Sequence, residues 1–110
     1  MAIDNSLYDS LESTYIKIKD YFDNNQLGPE HSAMIIKHEE LSDLLETLDI
    51  EAIEEQSSDI HALHAQLNDI KEVSKQIVEE LNNVVDSVAS ANKVVDGLDK
   101  IFLKITNVIV

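Results

Sequence analysis

Residues 60–109 read IHALHAQLNDIKEVSKQIVEELNNVVDSVASANKVVDGLDKIFLKITNVI, and apolar side chains recur through them at alternating spacings of three and four. The positions are Ile60, Leu63, Leu67, Ile70, Ser74, Ile77, Leu81, Val84, Val88, Ala91, Val95, Leu98, Phe102, Ile105 and Ile109, with Ser74 the one polar member. A seven-residue repeat keeps one stripe of a helix turned toward a neighbour along its whole length, which is what knobs-into-holes packing needs. The repeat predicts one uninterrupted helix over 59–109. At ~1.5 Å per residue, about fifty residues make a rod of roughly 75 Å, far longer than the helix of an ordinary compact domain. The interaction seam falls on Leu81, Val84, Val88, Val95, Leu98, Phe102, Ile105 and Ile109.

Upstream, two more helical segments are legible. Over 4–23, Tyr8, Leu11, Tyr15, Ile18 and Phe22 repeat at the same spacing, and Tyr8, Tyr15 and Phe22 form an aromatic stripe. Asn24, Asn25, Gln26, Leu27, Gly28 and Pro29 break the pattern. A second helix is expected over 29–55, with Met34, Leu41, Leu45, Leu48 and Ala52 on its apolar side and Pro29 in its first turn. Gln56, Ser57, Ser58 and Asp59 then supply three N-cap candidates before the seam begins.

The two halves are nearly equal in length, so folding at 56–59 gives a helical hairpin with a broken first arm, in which residue i lies opposite roughly 115 minus i. On that register Tyr8, Tyr15 and Phe22 meet residues 94–109. Val73, Val78, Val85, Val94, Ile101 and Val108 widen the stripe beyond what one partner helix covers. The expectation is therefore a single all-α domain over 1–110, of about three helices, that associates with a second copy or more into an antiparallel helical bundle or coiled coil. If the first helix folds back on the second instead, a three-helix bundle with an overhanging third helix results.

Composition agrees with helices. The chain has 110 residues, with two Gly, one Pro and no Trp, and neither Gly nor Pro occurs between Pro29 and Gly97. A β-rich chain needs turn residues every 8–12 positions. Without cysteine there is no disulfide, thiolate metal site or Cys nucleophile. Residues 1–10 carry Asp4 and Asp9 in place of a basic and then apolar run, so they do not read as a signal peptide. The C-terminal apolar tract, 101–110, is interrupted by Lys104, Thr106 and Asn107 and is too short to span a bilayer. It suits an oligomer core better than a membrane-surface tail. A cytoplasmic protein is expected.

Charge selects among partners. Twenty-two acidic residues face eight lysines and no arginine, a formal net charge of -14. Repulsion from phosphates argues against direct nucleic-acid binding and against anionic membranes. The absence of Arg also removes bidentate clamps for anionic substrates. Acidic residues concentrate at Glu39, Glu40, Asp43, Glu46, Asp49, Glu51, Glu54, Glu55 and Asp59, with no Lys between Lys37 and Lys71. This face could dock a protein with a basic surface, or imitate the phosphate array of a nucleic acid and so inhibit a DNA- or RNA-binding protein. The plainer alternative is a solvated helix face that keeps an apolar bundle apart from its neighbours.

Candidate chemistry is sparse. His31 and His38 lie one heptad apart in phase with Met34 and Leu41, and a histidine on a buried edge destabilises the fold when protonated. His61 and His64, one turn apart and near Glu51, Glu54 and Glu55 in the hairpin, are weak metal candidates; no Glu-x-x-His motif accompanies them. No catalytic triad, phosphate loop or zinc-finger spacing is present, and no cofactor is called for. The sequence thus points to a non-enzymatic, self-associating interaction module serving as adaptor, chaperone-like partner or inhibitor of another protein.

Overall fold

The computed structural model describes residues 6–109, and every element in that range is helical: α1 (Ser6–Asn24), a 3-10 turn (Pro29–His31), α2 (Ser32–Thr47), α3 (Ile50–Gln56), α4 (Ile60–Asn82) and α5 (Ser87–Ile109). The expected helix start at Asp4 and the side chain of Ile109 lie outside the described residues. No described helix is long and apolar enough to cross a membrane.

The rod expected over 59–109 is not there. The chain turns at 83–86, and α5 doubles back along α4 within a particle measuring 45 × 22 × 20 Å. Local chemistry accounts for the turn. Asn83 leaves the helical region, and its side-chain amide donates to the Glu79 carbonyl at 3.0 Å, competing with the backbone for that acceptor. Three residues on, the Asp86 carboxylate accepts from the backbone N–H of Val88 (2.9 Å) and Ala89 (3.2 Å), which caps the orphan donors of α5. A stop and a start that close together, around two valines that are themselves weak helix formers, outweigh the continuing apolar repeat. The segment expected as one helix over 29–55 is also divided, at Leu48 and Asp49, where Asp49 caps α3 by accepting from Ala52 N–H at 3.0 Å. Asp59 caps α4 in the same way, through Ala62 N–H at 3.1 Å.

Contacts fix the directions of the four long helices. Glu80 reaches Ser90 (2.8 Å) and Lys93 (3.4 Å), so α4 and α5 are antiparallel. Tyr21 meets His31 and Tyr15 meets His38, so α1 and α2 are antiparallel as well. Lys71 donates to Ser6 and Ser74 to Ser10 (3.0 Å), so α1 and α4 run parallel, while Lys37 pairs with Asp99 (2.8 Å) across α2 and α5. The helices thus surround one core in the order α1, α2, α5, α4, and α3 carries the chain diagonally across one end, where Ile50 is buried. The register in which α1 faced residues 94–109 is overturned by this arrangement: α1 packs on α2 and α4, and Tyr15 and Phe22 stand against His38.

Burial explains the order. Leu63, Leu67, Ile70, Ser74, Ile77 and Leu81 turn inward along α4, as the repeat requires. Ser74, the polar member, is fully buried; it donates to the Ser10 carbonyl and touches the Thr14 hydroxyl, which in turn donates to Ser10 O at 3.0 Å. That hydroxyl cluster satisfies its own polar atoms and sets α1 against α4 at one height. Gly97 sets the α4 to α5 spacing: a Cβ there would lie 2.8 Å from Ile77 Cγ1, so the two helices approach more closely than any side chain would allow.

Candidate functional site

The expected interaction seam divides at the turn. Leu81, Leu98 and Ile105 are buried, but in the core of their own chain. Val84, Val95 and Phe102 are only partly covered and Val88 is 49% exposed, because α5 has rotated after the turn to bring Val94, Gly97 and Ile101 inward instead. Phe102 sits at the α2 boundary, with the Lys37 ammonium 5.8 Å above its ring. Of the residues that widen the stripe, Val94 and Ile101 are buried within the same chain, Val73, Val78 and Val108 are partly covered, and Val85 is 98% exposed.

The aromatic stripe is half-buried against α2. Tyr15 stacks on His38 with centroids 4.2 Å apart, and Phe22 meets the same imidazole edge-on at 5.3 Å. His38 Nε2 donates to the Tyr15 carbonyl at 3.1 Å. Burial pushes the His38 pKa below the ordinary histidine range, with the hydrogen bond to Tyr15 opposing the shift. His31 is the more deeply placed of the pair, 1% exposed, with Tyr21 and the Gly28 amide on its two nitrogens. Its depth agrees with its phase, three residues before Met34 and seven before His38, although it closes a 3-10 turn at the start of that stripe.

The acidic residues gather along one edge. Glu39, Glu40, Asp43 and Glu46 are exposed on α2, and Asp49, Glu51 and Glu55 continue the series over the corner onto α3. Glu40 lies 3.5 Å from Lys37, whose ammonium is already engaged by Asp99. The hydrogen bond that Lys37 donates to the Asp99 carboxylate holds the Lys37 pKa above its usual value. Among the described residues, Glu39, Asp43, Glu46, Glu51 and Glu55 have no cationic partner within 4 Å. No basic side chain occupies the last turn of α2, so Asp43 and Glu46 stand at the negative end of that helix uncompensated. An open hollow of about 430 Å³ lies at the corner, lined by Tyr8, Glu46, Thr47, Leu48, Asp49, Ile50 and Glu51.

Glu54 departs from its neighbours. Its side chain is only 8% exposed, with one oxygen buried and unbonded and the other 3.5 Å from His64 Nε2. His61 is exposed and takes no part in that contact. Among the described residues no three His, Cys, Asp or Glu side chains converge to hold a metal ion. Comparison with protein families, characterised proteins and solved structures finds no match to this chain.

Proposed function

We propose that this chain is a non-enzymatic protein-binding module that takes a basic partner on the acidic edge spanning residues 39–55, as an adaptor, chaperone-like partner or inhibitor. One observation carries the reading: Asp43 and Glu46 are set against the dipole of α2 with no compensating cation. Each carboxylate in such a position costs about 0.3–1 kcal/mol. Carboxylates that weaken their own helix, continuous with others that have no lysine near them, are what a surface selected for an outside cationic partner contains. The edge also crosses a helix corner, presenting charge on two faces.

Because α1 and α2 cover the inward side of α4 and α5 within one chain, a single chain is the binding unit proposed, and self-association through the apolar side chains left exposed is a separate reading that this unit does not require. Val85, Leu103 and Ile36 are the most exposed large apolar side chains, at 98%, 63% and 55%, and none of them belongs to the acidic edge. Capture of proteins from the native cell tests the reading. Wild-type bait should retain basic proteins, and a variant carrying Glu39→Gln, Asp43→Asn, Glu46→Gln, Glu51→Gln and Glu55→Gln should lose them while a control with neutralised Asp69, Glu72 and Glu79 keeps them. Equal capture by all three baits would remove the proposal. Added duplex DNA that releases the captured partner would assign the edge as an imitation of nucleic acid.

A further inference from the structure

We infer that the 3-10 turn between α1 and α2 contains a proton-operated exchange of hydrogen bonds, in which His31 Nδ1 releases the Gly28 amide and takes the Glu30 carboxylate on acidification. The Gly28 N–H donates to His31 Nδ1 at 3.1 Å, while the His31 N–H donates to the Gly28 carbonyl at 3.0 Å, so the turn is closed from both sides. Because Nδ1 accepts, the ring proton is on Nε2, which donates to the Tyr21 hydroxyl at 3.1 Å. Only one atom of the ring is therefore open to change. Protonation turns Nδ1 into a donor facing another donor, and leaves the Tyr21 bond as it was.

An acceptor is already waiting. Glu30 Oε1 lies 3.6 Å from Nδ1, just beyond hydrogen-bond length. The carboxylate reaches that place over Gly28, where a Cβ would stand 2.5 Å from its other oxygen. Glycine at 28 leaves the space in which the carboxylate rests. Glu30 is 30% exposed while His31 is almost fully covered, so the carboxylate also gives the proton a path from solvent. Tyr21 from α1 and Glu30 of the turn itself are the titratable groups in contact with the ring. Helix α5 also packs on this turn, but among the described residues neither it nor α2 brings a hydrogen bond or ion pair to the imidazole. Histidine is the side chain that changes charge within ordinary physiological pH. The exchange frees the Gly28 amide and loosens the joint between α1 and α2, while the Tyr21 bond holds the bundle closed.

Nitrogen NMR of the full chain, titrated from about pH 8 to about pH 5, tests this, with His31 signals assigned by their loss in His31→Gln. The His31 Nδ1 signal should change from acceptor to protonated while Nε2 stays protonated, and the Gly28 amide should move toward the unbonded position with the same midpoint. Glu30→Gln, which keeps the shape and removes the waiting anion, should shift that midpoint to lower pH. A Gly28 amide that does not follow the ring, a midpoint unmoved by Glu30→Gln, or loss of the fold before His31 titrates would each overturn the proposal.

Discussion

At the scale of single residues, the two buried histidines have different consequences because their nitrogens face different partners. His38 donates from Nε2 to a backbone carbonyl and is covered by two aromatic rings, an environment that penalises its charged form. The folded state therefore holds the proton less tightly than the unfolded chain, whose histidine titrates near the ordinary value of 6.5. His38 contributes its full stabilisation above that value and loses it as pH falls below it toward the lowered folded value. Urea unfolding at about pH 7.5 and about pH 5.5 should show wild type losing more stability on acidification than His38→Gln. Relief of repulsion among carboxylates acts on both proteins and cancels in the comparison; equal losses would contradict the assignment. The sequence made His38 legible through its phase with Met34 and Leu41. It gave no sign that Ser74, polar on an apolar stripe, would find Ser10 and Thr14, because that match depends on which helix lies beside α4.

At the scale of elements, the α4 and α5 boundary is where reading the sequence failed, and the failure has a physical cause. The apolar repeat continues through Leu81, Val84 and Val88 without losing phase, and no Gly or Pro interrupts it. Periodicity alone thus favoured a rod. The competing signal was present in Asn82, Asn83, Asp86 and Ser87, short polar side chains that bond to nearby backbone better outside a helix than within it. Asp86 supplies the cap, and Asp86→Ala should cost about 1 kcal/mol of unfolding free energy in urea titration. In a continuous rod the same position is an exposed mid-helix site, where Ala is the better helix former and the change would stabilise. The direction of the change therefore separates the two structures. Gly97 belongs to the same lesson: it stands alone in the sequence, and its use becomes visible only when Ile77 of α4 is laid across it.

At the scale of the whole molecule, the all-helical class and the acidic face were readable because composition and periodicity carry them. The arrangement was not, because a stripe wide enough to need several neighbours does not say whether they come from the same chain. In this fold α1 and α2 of the same chain cover the inward faces of α4 and α5, Val85 and Val88 stay exposed, and the acidic edge faces outward. The test is a distance. The chain has no cysteine, so Gln66→Cys and Asn107→Cys can carry spin labels without background, and both positions line one hollow at the α3 end of the bundle. Pulsed resonance on doubly labelled chains diluted into unlabelled protein should give one short separation, of the order of two helix diameters or roughly 20 Å. A separation near 60 Å, the length of about forty residues of unbroken helix at ~1.5 Å each, would contradict the fold and the single-chain binding unit that rests on it.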